Sequence, residues 1–270
     1  MTMPMRDRHS AQAVFATQLA LLIMIFVLWW GLVKAGVLPI FFFGDPIQVF
    51  NRIWRWFVTG SIWIHLGNTL LETILSFVIG TASGIVIGMW LALSPFLGRV
   101  LDPFIKAANS MPRLIFAPIF ALWFGLGIWS KVALGVTLVF FVVFFNVFQG
   151  VREVSPVVLA NVRMLGANRT NLLRYVYLPS AMSWVFSSLH NAVGLAFVGS
   201  VVGEYLGSAR GVGYLILQAE GVFDINAVLA GILLLSVFAG VLDQTVTLIE
   251  EKLLRWRPTA SETERVKGSD

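Results

Sequence analysis

The sequence has no cysteine among its 270 residues and only three histidines, His9, His65 and His190, which lie far apart. The absence of cysteine excludes disulfides and thiolate chemistry. Because no two histidines stand at ligand spacing, a metal site is not expected either. The sequence also lacks the phosphate-binding pattern G-x-x-x-x-G-K-S/T and any recognisable constellation of a nucleophile with a base, so an enzyme is not predicted.

Charge is also scarce. Charged residues make up 12% of the chain, against about 25% in a typical soluble domain. Hydrophobic residues make up 58%, including 22 Phe and 10 Trp, and such a chain cannot cover a globular surface with polar groups. Lipid is therefore its expected solvent. We interpret the net charge of +5 as a determinant of membrane topology, and no nucleic-acid partner is predicted.

Six stretches are apolar enough to cross a bilayer, which takes about 20 residues of helix. They comprise residues 17–36, 67–93, 104–126, 130–151, 183–206 and 226–250. The third stretch contains Pro112 and Pro118, so we expect it to be kinked or to begin late. Apolar residues at helical spacing in 47–57 predict an amphipathic helix at the membrane interface. The pattern indicates an all-α integral membrane protein.

The basic residues are distributed unevenly between the two sides of the predicted membrane. If both termini lie in the cytoplasm, 14 of the 19 Lys and Arg residues, Arg113 among them, fall on the cytoplasmic side. The excess of positive charge on cytoplasmic loops favours this orientation. We expect a cytoplasmic tail at 1–16, a membrane domain at 17–257 with a cytoplasmic loop at 152–182, and a disordered cytoplasmic tail at 258–270.

The loop at 152–182 is unusually basic for this chain. Ser155-Pro156 is typical of a helix start, and Gly166 suits the left-handed residue that ends a helix. Asn168 suits the cap of a second short helix, which Leu178-Pro179 is expected to end. The sequence therefore predicts a compact pair of short helices that projects into the cytoplasm and suits a groove on a partner.

The first of these helices is expected to bury an apolar face made of Val158, Val162 and Leu165. A simpler interpretation of the loop is that Arg163, Arg169 and Arg174 only retain it in the cytoplasm. That interpretation explains the charge, but it explains neither the glycine break nor the Leu-Pro pair, so partner binding is favoured.

The stretch LANVRMLGANRTNLLRYVYLPSA at 159–181 is similar to the cytoplasmic loop of permease subunits of binding-protein-dependent ABC importers. The matching positions are Gly166, Ala167, Leu178 and Pro179, whereas Ala-Asn-Val at 160–162 stands where that family has Glu-Ala-Ala. Segments 101–112, 111–134 and 201–216 resemble the nitrate/sulfonate/taurine branch of the family, and the resemblance covers roughly 65–250.

The resemblance implies a type I ABC importer permease fold with six transmembrane helices per chain. It implies that the chain forms the pathway for a small organic anion, such as a sulfonate, taurine or nitrate, in the bacterial inner membrane. The implied partners are a second permease copy, two ATPase subunits that bind ATP and Mg, and a periplasmic or lipid-anchored substrate-binding protein. No cofactor is expected on this chain. The implied ATPase-coupling positions are Ala160, Asn161, Arg163, Gly166, Ala167, Asn168, Arg169, Leu172, Arg174, Leu178 and Pro179.

Other residues within the spans are candidates for pathway or packing roles. The pathway or gate candidates are Glu204, Asn146, Gln149, Ser187, His190 and Asn191. Each can equally make an interhelical hydrogen bond, and Glu204 can instead bind backbone amides of the 207–213 loop. Small residues spaced by four let helices approach closely, and the candidates for this are Gly80, Gly84, Gly88, Gly199, Gly203 and Gly207.

Three alternatives remain at this point. The same type of importer could carry a pyrimidine precursor or an aromatic acid. A secondary transporter would need ionisable relay groups in the membrane, and only Glu72, His190 and Glu204 qualify. A membrane enzyme is disfavoured, because no nucleophile or metal constellation is found.

Overall fold

The computed structural model describes residues 11–253, and these residues form helices and connecting turns without a β-strand. The α-helices are, in chain order, α1 Ala11–Lys34, α2 Ile40–Phe43, α3 Pro46–Val58, α4 Ile62–Ala92, α5 Pro95–Ser110, α6 Ala117–Phe124, α7 Ile128–Arg152, α8 Pro156–Met164, α9 Arg169–Leu172, α10 Leu178–Leu206, α11 Val212–Gly221 and α12 Ile225–Leu253. A 3₁₀ turn at Arg113–Phe116 precedes α6, and a π-helical turn at Leu173–Tyr177 precedes α10. Of the two predicted tails, 258–270 and the first ten residues of 1–16 lie outside the described residues. Helix α1 begins at Ala11, inside the tail predicted at 1–16.

The described helices fall into two compact units. One comprises the described residues up to Ser61 together with Ile216–Leu234. The other comprises Ile62–Leu215 and the described residues from Leu235 onward. The loop at 152–182 and most of the pathway and packing candidates belong to the second unit.

In the first unit, polar side chains tie α3 to the start of α12. Asp45 caps α3 by accepting a hydrogen bond from the amide of Ile47 at 2.9 Å. The Asp45 amide in turn donates to Asn226 Oδ1 at 2.8 Å, and Arg52 forms an ion pair with Asp224 at 2.5 Å. The amphipathic helix predicted in this region is therefore present, and its polar residues hold it in place.

In the second unit, α4 and α10 both pack along α7. Four buried valines of α7 recur at every fourth position, namely Val139, Val143, Val147 and Val151. They form one cluster with residues of α10, namely Ala181, Val185, Ala192 and Ala196. A helical stripe of this kind buries one face of α7 over more than three turns.

Glycines allow these helices to approach closely. Gly80, Gly84 and Gly88 of α4 stand against three valines of α7, Val139, Val143 and Val147. A Cβ added at Gly84 would lie 2.9 Å from Val143 Cβ and 3.0 Å from the backbone oxygen of Phe140. Because the nearest atoms include backbone, a larger residue would push the two helices apart.

The two candidate glycines of α10, and the one that directly follows this helix, make similar contacts. Gly199 faces the backbone of Gly135 on α7, and Gly203 faces the backbone and side chain of Lys131. A Cβ at Gly207, which follows α10, would lie 3.1 Å from the Leu126 side chain. All six glycines named from the sequence therefore lie at close contacts between elements.

Four helices of the described part are long and apolar enough to cross a membrane: Ala13–Lys34, Ile62–Ala92, Ile128–Arg152 and Ile225–Ile249. A fifth crossing results if Arg169–Phe186 and Ser188–Leu206, which meet at 56°, count as one broken span. Each of the four helices contains most or all of one predicted stretch, namely 17–36, 67–93, 130–151 or 226–250. The broken pair contains the stretch predicted at 183–206.

The predicted stretch at 104–126 is a broken segment, and its expected kink is confirmed. Helix α5 ends at Ser110, and Met111 takes an extended conformation with ψ of 137°. An extended conformation is what a following proline favours, because its ring clashes with a helical residue before it. The chain resumes with the 3₁₀ turn and the short apolar α6, near whose start Pro118 is tolerated.

A substitution at Gly199 should separate α10 from α7. In Gly199→Ala the new Cβ would lie 2.5 Å from Gly135 Cα, so we expect the free energy of unfolding to fall by about 1–3 kcal/mol. Gly194 lies on the same helix with nothing within 4 Å of an added Cβ, so Gly194→Ala should be neutral or stabilise by up to about 1 kcal/mol. Thermal unfolding of both variants in one detergent checks this, and equal midpoints would contradict it.

Candidate functional site

The loop at 152–182 folds largely as its local signals predict. The Ser155 side chain accepts a hydrogen bond from the Val157 amide and begins α8. Gly166 then takes a φ of +83°, which glycine adopts readily and other residues avoid. Asn168 Oδ1 accepts a hydrogen bond from the Asn171 amide at 2.8 Å and begins α9. The predicted pair of short helices is therefore present.

The end of the loop differs from the expectation. Leu178 and Pro179 do not end a helix, because the chain continues from α9 through the π-helical turn directly into α10. A proline is tolerated here because it stands in the first turn of α10, where a missing amide proton costs little. The widened turn that precedes it is typical of a local insertion in a helix.

The predicted coupling residues lie along this loop in sequence order. Their places are Ala160, Asn161 and Arg163 on α8, Gly166, Ala167 and Asn168 in the turn, Arg169 and Leu172 on α9, Arg174 in the π-helical turn, and Leu178 and Pro179 at the start of α10. The three arginines are exposed, and Arg174 stacks over the Tyr175 ring at 5.7 Å.

The apolar face of α8 is not buried as predicted. Leu165 is 86% exposed, Met164 is 79% exposed and Val158 is also exposed. Val162, the third residue of the predicted face, is half-buried, so the prediction was wrong for Val158 and Leu165. The tip of the loop therefore presents two large apolar side chains beside the exposed Arg163 and Arg169.

Below its tip, the loop is fastened to the helices of the second unit. Leu172 is buried, and Ser180 Oγ donates a hydrogen bond to the backbone oxygen of Gly150 on α7 at 2.7 Å. Gly150 itself lies against Trp184, because a Cβ there would approach within 2.7 Å of the indole. A force on the loop would therefore reach both α7 and α10.

At the opposite end of α10, Glu204 is fully buried and held by hydrogen bonds. Its carboxylate accepts from Thr69 Oγ1 on α4 at 2.6 Å and from the Gly213 amide at 2.8 Å. Gly211 has a φ of +110°, and a Cβ at that position would overlap the Glu204 carboxylate. This is the geometry of the structural alternative, in which Glu204 binds amides of the following loop, and a gate role for it stays a prediction.

Two further buried ionisable residues lie near Glu204. Lys131 of α7 is buried, and its ammonium donates to the backbone oxygens of Leu126 at 2.6 Å and Gly127 at 2.9 Å. Glu72 of α4 is also buried, interacts with Glu204, and has one carboxylate oxygen without a hydrogen-bond partner in the described part of the chain. Both carboxyl groups interact electrostatically with Lys131. Glu72, Lys131 and Glu204 form what we call the outer cluster.

The sequence did not predict this cluster. Glu72 appeared only as one of three ionisable groups in the spans, and no contact between Lys131 and a buried carboxylate was expected. The three residues stand on three helices and are far apart in the chain, so no spacing pattern links them. The available signal was the cost of each intramembrane charge, which indicates that such residues pair with one another.

The other pathway candidates do not meet at one site within this chain. Asn146 donates a hydrogen bond to the backbone oxygen of Val142 within α7. Gln149 donates one to the side chain of Glu153, which directly follows α7. His190 Nε2 lies 2.9 Å from Thr247 Oγ1 and lines a cavity of about 360 Å³ between α10 and α12. Asn191 is exposed, and the side chain of Ser187 lies outside the described residues.

Comparisons with known proteins agree on one family. The family model described as "Binding-protein-dependent transport system inner membrane component" matches residues 84–255. The putative aliphatic sulfonates transport permease protein SsuC of Bacillus subtilis (strain 168) is 33% identical over 84% of this chain and 80% of its own length. The taurine transport system permease protein TauC of Escherichia coli (strain K12) is 27% identical over 87% of each chain.

A third relative and a solved structure extend the comparison. The formylaminopyrimidine transport permease protein ThiX of Halalkalibacterium halodurans is 32% identical over 93% of this chain and 98% of its own length. The MetNI methionine ABC transporter, in inward-facing conformations, superposes on 76% of this chain and 98% of its own chain with a TM-score of 0.57. At 18% sequence identity, this likeness shows the fold alone.

Removing the cation of the outer cluster should be costly. Lys131→Met removes the buried ammonium and its two hydrogen bonds to the backbone oxygens of Leu126 and Gly127, so we expect the free energy of unfolding to fall by about 1.5–3 kcal/mol. Lys106→Met is the matched control: its exposed ion pair with Asp102 on α5 should contribute less than about 1 kcal/mol. Chemical unfolding in one detergent compares the two variants, and similar losses would contradict the importance of the cluster.

Proposed function

We propose that this chain, which belongs to the family of binding-protein-dependent transport system inner membrane components, forms the membrane pathway for an aliphatic sulfonate or a similar small organic anion. The family match and the permease relatives confirm the recognition made from the sequence, the type I permease fold and the role of a transporter subunit without catalysis of its own. Such a subunit is a multi-pass protein of the inner membrane and works with an ATPase and a substrate-binding protein.

The substrate class is supported by the relatives. SsuC is named for aliphatic sulfonates and TauC for taurine, and these substrates share a permanently anionic sulfonate group. A pyrimidine precursor is the second candidate, because ThiX is named for formylaminopyrimidine and is 32% identical over 93% of this chain. Sulfonate is preferred because two of these three relatives are named for substrates that carry a sulfonate group.

The exposed tip of the 152–182 loop supports the docking of an ATPase. Met164 and Leu165 are large apolar side chains that project beside two arginines. An exposed apolar patch with a polar rim is typical of a protein interaction site. A groove on the ATPase would bury these side chains and bring acidic residues to the arginines. Retention in the cytoplasm would require only the arginines.

The link between the loop and α7 and α10 supports transmission of movement. ATP and Mg would bind to the ATPase subunits, and closure of those subunits would displace the docked loop. The buried Leu172 and the hydrogen bond from Ser180 to Gly150 would carry this displacement into the membrane helices. For ATP to drive transport, the ATP-bound ATPase must bind one permease conformation more tightly than the other.

The proposed assembly has two copies of this chain, two ATPase subunits and one substrate-binding protein outside the membrane. Both termini and the 152–182 loop would lie in the cytoplasm, because this orientation puts most of the basic residues there. The outer cluster would then lie on the side where the binding protein delivers its substrate.

Uptake by the complete complex in proteoliposomes tests the substrate. We expect ATP-dependent accumulation of radiolabelled taurine or butanesulfonate when the cognate binding protein is present, and none with a complex that lacks the ATPase subunits. Formylaminopyrimidine serves as the competing substrate. Accumulation of formylaminopyrimidine without any sulfonate would overturn the proposal in favour of the second candidate.

Polar substitution at the tip of the loop should weaken ATPase binding. Leu165→Ser removes a contact of the hot-spot type, so we expect roughly tenfold weaker association, which corresponds to about 1.4 kcal/mol. Val222→Ser is the matched control, because Val222 is also an exposed aliphatic residue, at 74%, and lies outside the loop. Titration of purified permease with ATPase subunits measures both, and the docking proposal fails if Leu165→Ser binds as the wild type does.

A further inference from the structure

Arg113 lies deeper along α7 than its predicted cytoplasmic position suggests. Its guanidinium carbon is 4.5 Å from the centre of the Phe141 ring. Phe141 stands 13 residues after Ile128 and 11 residues before Arg152, the two ends of α7. At about 1.5 Å of rise per residue, the guanidinium is level with a point about 17–20 Å from either end of the helix. A permanent positive charge therefore lies beside the middle of a membrane-spanning helix.

This charge is poorly compensated. One terminal nitrogen of Arg113 donates to the backbone oxygen of Asn109 at 2.8 Å and to the side-chain oxygen of the same residue. The Nε atom is buried and has no hydrogen-bond partner within residues 11–253. In the same part of the chain, no carboxylate forms a salt bridge with Arg113. An arginine at this depth is costly without an anionic partner.

The helix break at Met111-Pro112 places the arginine there. The 3₁₀ turn that begins with Arg113 packs on α7, and Phe141 in turn stacks on Phe145 at 6.4 Å. Non-helical backbone at membrane depth is tolerated where it is buried in protein or lines a water-filled cavity. The planar fork of an arginine binds two oxygens of one oxyanion at once, and Nη1 of Arg113 makes no hydrogen bond within residues 11–253, which leaves it for such a contact.

We propose that Arg113 is the residue that contacts the anionic group of the transported molecule halfway through the membrane. The inference rests on the proposed function in one respect, namely that the substrate is an anion. The oxyanion could instead be a lipid phosphate, which has the same chemistry. However, the hydrocarbon core is about 30 Å thick, so lipid headgroups lie roughly 15 Å from the level of Phe141.

Transport by proteoliposomes that contain the permease, its ATPase subunits and the cognate binding protein gives the first test. We expect Arg113→Gln to reduce ATP-driven taurine uptake at least tenfold, since a hydrogen bond to a charged group is lost. Arg113→Lys should keep part of the uptake, because it keeps the charge and loses the fork.

Arg99→Gln is the matched control. Arg99 also donates to a backbone oxygen four residues earlier, at Pro95, but it is exposed near the start of α5. Uptake by this variant should equal that of the wild type. The inference is overturned if Arg113→Gln transports taurine as well as Arg99→Gln does. To separate the lipid alternative, the same vesicles are made with zwitterionic and with anionic lipids: a lipid-binding role makes the Arg113→Gln defect depend on composition, and a substrate role does not.

A second test does not depend on the substrate. Because the chain has no cysteine, Arg113→Cys introduces a single thiol, which we expect to react with the water-soluble anion 2-sulfonatoethyl methanethiosulfonate. Val222→Cys, at an exposed position outside the loop, is the labelled control, and Val143→Cys, buried on α7, is the unlabelled one. Mass spectrometry of this chain measures the labelling with and without ATP.

The two tests separate failure of the inference from failure of the proposed function. If the wild type takes up no sulfonate but Arg113→Cys is labelled, the substrate proposal fails and the pathway position stands. If the wild type takes up taurine and Arg113→Gln does so equally well, the proposed function stands and the inference fails. Absence of labelling at position 113 in every nucleotide state also overturns the inference, whatever the substrate.

Discussion

The close approach of α4, α7 and α10 is the constraint on which the second unit depends. In lipid, apolar side chains gain little by leaving their surroundings, so helices associate through tight packing of small residues and a few polar contacts. Gly84 and Gly199 bring α4 and α10 to within backbone contact of α7. The valine stripe of α7 then fills the remaining space. Because these contacts leave almost no free volume, movement of one helix must displace the others.

Helix α7 connects three levels of the molecule. Near its first residues, Lys131 belongs to the outer cluster with the two buried carboxylates. At its middle, the Phe141 ring lies against the guanidinium of Arg113. Near its last residues, Gly150 accepts the hydrogen bond from Ser180 that fastens the 152–182 loop. A displacement of the loop by a bound ATPase would therefore reach the arginine and the outer cluster through one packed helix, as a bistable rearrangement requires.

Local features of the structure were predictable from the sequence, and contacts between distant residues were not. Ser155, Gly166 and Asn168 act through hydrogen bonds and dihedral angles within a few residues, so their signals are readable in one short stretch. Pro112 likewise predicted the break in the third stretch. The outer cluster joins residues on three helices, which no periodicity reveals. Arg113 was counted on the cytoplasmic side, and a count of charges on loops gives no sign that its guanidinium would lie beside the middle of α7.

Two groups of side chains lack a partner among the described residues, and each indicates a different kind of partner. At the tip of the loop, Leu165 and Met164 expose apolar surface that a protein groove would bury. At the middle of α7, Arg113 holds a charge that only amide oxygens and an aromatic ring face within the described residues. A permanent partner for Arg113 would be a carboxylate of the same fold. A transient anion instead requires that the site be left unpaired between transport cycles, because a tightly compensated arginine would bind no substrate.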